Sequence, residues 1–248
     1  MWLLANWKMN LHAVEANAYL DELVTRLAQC NLTSLRFGLA PSFTELMLAA
    51  DRLSETNVWI GAQDVSGVEM GAFTGEVAAR QLQAIGVKFV LIGHSERRQR
   101  WPETDEQMAA KVKQALKADL VPVFCVGEQL DERDRIQSVL REQLNPFLLT
   151  IKESNPEFVV IAYEPVWAIG TGLTPTAEDV EHAHHFIRQE AGSVFKGQIS
   201  VLYGGSVNRT NSTTLIQITG VSGLLVGGAS LEVGHLIDIM NACMVALD

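Results

Sequence analysis

Cysteine is scarce: Cys30, Cys125 and Cys243 are the three in 248 residues. Their number is odd, they lie far apart and their spacing fits no metal-ligand pattern. That excludes a disulfide framework and makes a reducing cytoplasm the expected compartment. No apolar run reaches the roughly 20 residues a membrane-spanning helix needs, so no membrane partner is expected. No basic segment precedes the apolar start, Met1-Trp2-Leu3-Leu4-Ala5-Asn6, which reads as a first strand and not as a signal peptide. Positive charge is also short, with 19 Lys and Arg against 29 Asp and Glu and a net charge of -10. A nucleic-acid binder would need a basic face, so that partner is excluded as well. The same charge opposes any anionic substrate at long range. A phosphate ester would therefore have to be held by local donors: backbone amides, helix N-termini, a well-placed lysine. Linkers, low-complexity tracts and charge blocks are missing too, so residues 1–248 read as one domain.

What the chain does have is apolar content, 48% of its residues against 19% charged, enough to fill a large core. Short apolar runs recur at 2–6, 36–40, 58–61, 89–92, 121–125, 158–163, 199–203 and 223–226. The segments between them carry apolar residues at helical spacing, as in Tyr19, Leu20, Leu23, Val24 and Leu27. Residues 176–195 do the same behind an opening Thr-Ala-Glu-Asp of capping style. Strand alternating with helix implies parallel strands joined by right-handed crossovers. Eight such units in a chain of this length predict an α/β fold, a closed (β/α)8 barrel with eight parallel strands and outer helices. In that architecture chemistry collects on the loops at the C-terminal ends of the strands.

The polar residues that follow the apolar runs fit this rule. Asn6 and Lys8 follow the first strand, His94 the fourth and Glu164 the sixth; Gly204-Gly205-Ser206 follows the seventh and Gly227-Gly228 the eighth. The most informative stretch is Ala162-Tyr163-Glu164-Pro165-Val166-Trp167-Ala168-Ile169-Gly170-Thr171-Gly172. It sets a carboxylate at a strand end, then a Pro-Val-Trp segment, a small apolar tip and glycines: a base beside a hinged lid, 165–172, able to exclude water. A solvated carboxylate is a weak base against a carbon acid, so Glu164 needs desolvation, for which Ile169 and Leu225 are candidate covers. It also needs donors for the developing oxyanion.

His94 stands between a strand end and a helix start, Ser95-Glu96-Arg97-Arg98, where the helix dipole favours a neutral ring that donates an N–H. Taken alone, a His there more often just completes a barrel-top hydrogen bond. With Glu164 and Lys8 on the same rim, the reading as an electrophile prevails. Strand alternation is expected to turn Asn6 and Lys8 to one side. Gly170, Ser206, Gly227 and Gly228 supply the close backbone approach of a phosphate cradle.

These strings, Asn6-Trp7-Lys8, Ile92-Gly93-His94-Ser95-Glu96-Arg97-Arg98, Tyr163-Glu164-Pro165-Val166-Trp167 and the two glycine pairs, resemble triosephosphate isomerases over nearly the full length. The resemblance implies a cofactor-free, metal-free isomerase of glycolysis and gluconeogenesis acting on triose phosphates, in which the Glu164 equivalent moves a proton between two carbons through an enediolate. It implies that His94 polarises the carbonyl, Lys8 and Asn6 bind and stabilise, and Glu96 supports Lys8 and His94 from behind. Glu128 would contact Trp167 at the lid hinge, and Tyr203 and Ser206 would hold the lid shut. The long loop from Gln63 through Gly75-Glu76 would place Phe73 and Thr74 in a partner subunit, giving a homodimer. Asn10-Leu11 departs from the family, many members having a glycine or lysine there, and the segment after Arg133 is short.

Two other readings remain at this point. A different phosphate-binding barrel enzyme would share the fold, and a barrel kept only for binding would share it too. The joint presence of all the motifs argues against both. His182, His184 and His185 lie on one outer helix and read as non-ligating. Cys125, at a strand end with no neighbouring His, reads as a packing residue.

Overall fold

The structure, a computed structural model, describes residues 1–30, 32–154, 158–171 and 173–246. In chain order the elements are β1 Trp2–Asn6, α1 Ala13–Leu27, β2 Arg36–Ala40, α2 Leu46–Arg52, β3 Trp59–Ala62, α3 Ala79–Ala84, β4 Val87–Ile92, α4 Ser95–Arg100, α5 Asp105–Lys117, β5 Val121–Val126, α6 Ile136–Ser154, β6 Phe158–Tyr163, α7 Ala177–Val194, β7 Gln198–Tyr203, α8 Ser212–Ile216, β8 Gly223–Val226 and α9 Val233–Val245. The eight strands pair in sequence order, all parallel, and β8 closes on β1. The eight-stranded barrel expected from the apolar runs is therefore the fold. Four strands differ at their ends: β3 both starts and ends one residue later, β4 starts two earlier and β7 one earlier, and β5 runs one residue longer. The start of β4 was hidden because Lys88 is exposed between buried Val87 and Phe89, so the apolar run breaks where the strand's lower end meets solvent.

Two apolar layers hold the barrel. Leu3 and Ala5 of β1 face the helices, while Trp2 and Leu4 face the barrel interior. The interior set continues through Phe89, Leu91, Val123, Cys125, Val160, Ala162, Leu202 and Leu225. Phe89 fills the interior only because its neighbours lack side chains: a Cβ on Gly38 would lie 2.6 Å from its ring, and one on Gly61 only 2.1 Å away.

This alternation fixes what reaches the rim. The inward series 160-162 of β6 leads to Glu164, and Trp2-Leu4 of β1 leads to Asn6. On the flanking strands, Val123-Cys125 leads to Gly127 and Leu202 to Gly204. Lys8 does not follow from alternation, because β1 ends at Asn6 and Lys8 has φ 56°. A left-handed residue turns the chain there, and Leu11 at φ 63° repeats the conformation. Leu11 thus occupies a backbone geometry that favours glycine.

Candidate active site

Glu164 is anchored by its backbone before its side chain does anything. Its N–H donates to Val126 O at 2.8 Å, and Gly204 N–H donates to Tyr163 O at 2.8 Å, so β5, β6 and β7 grip this residue at their ends. Glycine is required on both sides. A Cβ on Gly127 would sit 1.7 Å from Glu164 O, and one on Gly204 would sit 3.0 Å from Glu164 Cγ. The carboxylate is buried, at 2% side-chain exposure. Its Oε2 accepts from the Ser95 backbone N–H at 2.8 Å, and its Oε1 lies 3.0 Å from His94 Nε2.

His94 is the N-cap of α4, and its Nδ1 accepts from Glu96 N–H at 3.2 Å. An acceptor Nδ1 puts the ring proton on Nε2, aimed at Glu164. A local hydrogen bond at the helix start thus fixes the ring and aims Nε2 at Glu164. Gly93, at φ 73°, makes the turn that brings it there.

Lys8 N–H donates to Asn6 Oδ1 at 2.9 Å, and Lys8 Nζ donates to Glu96 Oε1 at 2.6 Å. Gln63 Nε2 donates to Lys8 O at 2.8 Å and to Ala40 O at 3.0 Å, fixing the left-handed turn from a third loop. Glu96 Oε2 also lies 3.8 Å from His94 Nδ1, so it stands behind both residues.

A cavity of about 270 Å³ opens above these groups. Its walls are Asn6, Lys8, His94 and Glu164, then Ile169 and Gly170 of the lid, Ser206, Leu225, Gly227 and Gly228. A Cβ on Gly227 would meet Lys8 Cε at 3.1 Å, so that glycine keeps room for the lysine. Gly227–Gly228 leads into a short 3-10 turn, Gly228–Leu231, tied by Ser230 N–H to Gly227 O at 2.8 Å. A phosphate could be met here by loop amides and one ammonium, as the acidic composition requires.

The lid residues Pro165, Val166, Trp167, Ala168, Ile169, Gly170 and Thr171 run from Glu164 across the cavity; Gly172 lies outside the described residues. Gly170 takes φ 70° at the tip. Ser206 Oγ donates to Ala168 O at 2.7 Å, so Ser206 touches the lid. The buried hydroxyl of Tyr203 has no hydrogen-bond partner among the described residues. At the hinge, Trp167 Nε1 donates to Glu128 Oε1 at 2.6 Å and Tyr163 OH donates to the same oxygen at 3.1 Å. Burial pushes the Glu128 carboxyl above the usual range, against the opposing pull of these donors.

Several contributors were missed in the sequence. Ser95 and Gly127 act through the backbone, which residue type does not advertise. Arg98 donates to Gly93 O at 2.7 Å and Cys125 O at 3.0 Å, tying the ends of β4 and β5 together below His94. Gln143 of α6 donates to Gly127 O at 2.8 Å and accepts from Gly127 N–H at 2.9 Å. Both are long-range contacts with no local signal, although Arg98 stands inside a quoted motif. Cys125 is fully buried, and burial raises its thiol well above the ordinary value. It packs in the barrel interior. His184 is buried with Nδ1 3.2 Å from Gly220 O, and His182 lies 3.1 Å from Gln137 Nε2.

Phe73 and Thr74 lie on the loop after β3, both exposed, and neither lines the cavity. The base of that loop is held by charge. Lys111 Nζ donates to Asp64 Oδ1 at 2.7 Å and also to Glu103, and Arg97 lies 2.9 Å from Asp64.

Comparison with known proteins gives one answer from three directions. The family model described as triosephosphate isomerase matches residues 1–243. The triosephosphate isomerase of Thermus thermophilus is 42% identical over 242 residues, 95% of this chain and 96% of that relative. That of Alkaliphilus metalliredigens is 39% identical, covering 96% of this chain and 98% of the relative. A crystal structure of the Bartonella henselae enzyme superposes with a TM-score of 0.84 at 33% identity, covering 97% of this chain and 98% of that one. With its barrel, its rim and its lid in place, the chain belongs to the triosephosphate isomerase family.

Proposed function

We propose that this isomerase interconverts dihydroxyacetone phosphate and D-glyceraldehyde 3-phosphate, in glycolysis and gluconeogenesis, by 1,2-proton transfer through an enediolate with Glu164 as the base. The observation that carries this reading is the buried Glu164 carboxylate 3.0 Å from His94 Nε2, in a cavity closed on one side by the lid. A carbonyl oxygen entering the cavity takes over the His94 N–H, and the released carboxylate turns to the carbon-bound proton. Glu164 removes that proton from C1, and the electron pair moves through the C1–C2 bond onto the C2 oxygen. Returning the proton to C2, while the C1 hydroxyl's proton passes by way of His94 to the C2 oxygen, yields the aldehyde. His94 and Lys8 stabilise the oxyanion, Asn6 orients Lys8, and Glu96 holds both from behind. Gly170, Ser206, Gly227 and Gly228 receive the phosphate, and the lid keeps water from the enediolate. The residues supply acid, base and electrophile themselves, so the scheme uses no cofactor or metal.

The protein is proposed to act as a homodimer. Met9, Phe43, Met70 and Phe73 stand out into solvent on the loops and turns after β1, β2 and β3, and Met47 on the first turn of α2, all following neighbouring strands along one side of the barrel mouth. An apolar set of this kind fits a subunit contact. Widely separated cysteines suit a cytoplasmic location, and among the described residues no helix is long and apolar enough to cross a membrane.

The test is a coupled assay of the purified protein against triose phosphates and a panel of other phosphorylated sugars. Turnover confined to triose phosphates is expected. A folded protein that ignores them, or prefers another sugar phosphate, would reject the reading.

A further inference from the structure

Arg133 lies outside the catalytic cavity, in the 3-10 segment Leu130–Arg135 after β5. Its guanidinium carbon sits 4.3 Å from the centre of the Trp167 ring, close enough for a cation–π contact. The same guanidinium reaches both carboxylate oxygens of Asp179 at 3.4 Å. Asp179 is no ordinary surface acid. It closes the capping box of α7, accepting from Thr176 N–H at 3.0 Å and donating its own N–H to Thr176 Oγ1 at 3.1 Å.

The two partners of Arg133 bracket the lid. Trp167 is its entry hinge, fixed to Glu128; Thr176 and Asp179 begin the helix into which the lid's far end runs. Arg133 also lies beside the buried Glu128 carboxylate, whose Oε2 has no hydrogen-bond partner among the described residues. Arg133, Glu128, Trp167 and Asp179 all line a cleft of about 680 Å³ beside the hinge. Trp167 forms a wall of this cleft but not of the catalytic cavity.

We propose that Arg133 is a positioning residue for the lid, clamping its entry hinge to the helix at its exit so that the two ends move as one unit. The proposal rests on the isomerase reading only for the lid's purpose; the clamp itself is a matter of geometry. The contact demands a flat cation. A guanidinium stacks on the indole while its edge donates to the carboxylate, whereas an ammonium is a compact point charge that cannot do both. Lysine at this position would keep the charge and lose the stack.

The experiment compares wild type with Arg133→Ala, Arg133→Lys and Arg133→Gln, with Asp179→Asn removing the other anchor. Each protein is labelled with 5-fluorotryptophan. The Trp167 fluorine signal, assigned through Trp167→Phe, is followed with and without saturating inorganic phosphate. Turnover of triose phosphate and thermal melting are measured alongside. In the alanine and glutamine variants the Trp167 signal is expected to move and broaden in the free protein, and kcat to fall by roughly three- to tenfold. Lysine is expected to restore little of either, and Asp179→Asn to shift the signal in the same direction. If one substitution fails to fold, the others and Asp179→Asn carry the comparison. Unchanged Trp167 signal and kcat in the folded Arg133 variants would overturn the clamp. So would full rescue by lysine, since charge alone would then suffice. Should wild type not turn over triose phosphates, the isomerase reading fails, and the fluorine signal still decides whether Arg133 positions the lid.

Discussion

At the scale of single residues, the site is a chain of mutual restraint. Glu164 is held by Ser95 and His94, His94 by Glu96, Glu96 by Lys8, and Lys8 by Asn6 and Gln63. The motif residues were legible because each is a polar side chain set just after an apolar run. The reason they meet was only partly legible. Alternation was expected to turn Asn6 and Lys8 to one side, but β1 ends at Asn6 and Lys8 arrives through a left-handed turn that no side-chain pattern announces. Lys8→Ala removes one oxyanion donor and one phosphate anchor, so kcat/KM is expected to fall by about 10²–10³ with the loss shared between kcat and KM. Steady-state kinetics on the variant decide it. A change in KM alone would assign Lys8 to binding and remove it from the chemistry.

At the scale of elements, the strand ends do the positioning. The order of strands and helices was readable from periodicity; the close approach between β5 and β6 was not, because it depends on atoms that are absent. Gly127 looked like one glycine in a loop motif, yet its missing Cβ makes room for the carbonyl of Glu164. Gly127→Ala forces that backbone apart. It is expected to destabilise the fold by about 1–3 kcal/mol, lowering Tm by several degrees, and to cut kcat by displacing Glu164. Melting and turnover measured on the same preparation test this. Wild-type values for both would mean that β5 and β6 yield freely at this point.

At the scale of the whole molecule, the pH dependence of stability carries a signature of α7. His184 is fully buried, and burial lowers its pKa from 6.5 to about 4, the Gly220 hydrogen bond opposing this and the nearby Arg188 charge adding to it. The folded state therefore resists a proton that the unfolded chain takes up below pH ~6.5. Stability from this group is intact above that pH, declines as pH falls toward 4, and is lost by roughly 3 kcal/mol below it. Asp64 and Glu128 act in the other direction, because burial raises their pKa and favours their protonated forms in the fold. His184→Asn keeps a donor toward Gly220 and cannot titrate. Its urea midpoint is expected to drop less than that of wild type between pH 7.5 and 5, and equal drops would remove His184 as the cause. The proposed dimer belongs to this scale too. It was suggested by resemblance and gains support from exposed apolar side chains that composition could not locate. Phe73→Glu is expected to convert a dimer to monomers in sedimentation velocity, and a wild type already monomeric at micromolar concentration would reject the assembly.

The account stands most directly on Glu164 as the group that moves the proton. The measurement is conversion of dihydroxyacetone phosphate in deuterated water by wild type and by Glu164→Gln, following both rate and isotope in the product. Wild type is expected to leave solvent deuterium at C2 of the aldehyde product, since a carboxylic acid that exchanges with solvent returns the proton. Glu164→Gln is expected to keep its fold and lose about 10²–10⁴ in kcat. A glutamine variant that turns over at near wild-type rate with the same isotope pattern would contradict the account and place the base elsewhere.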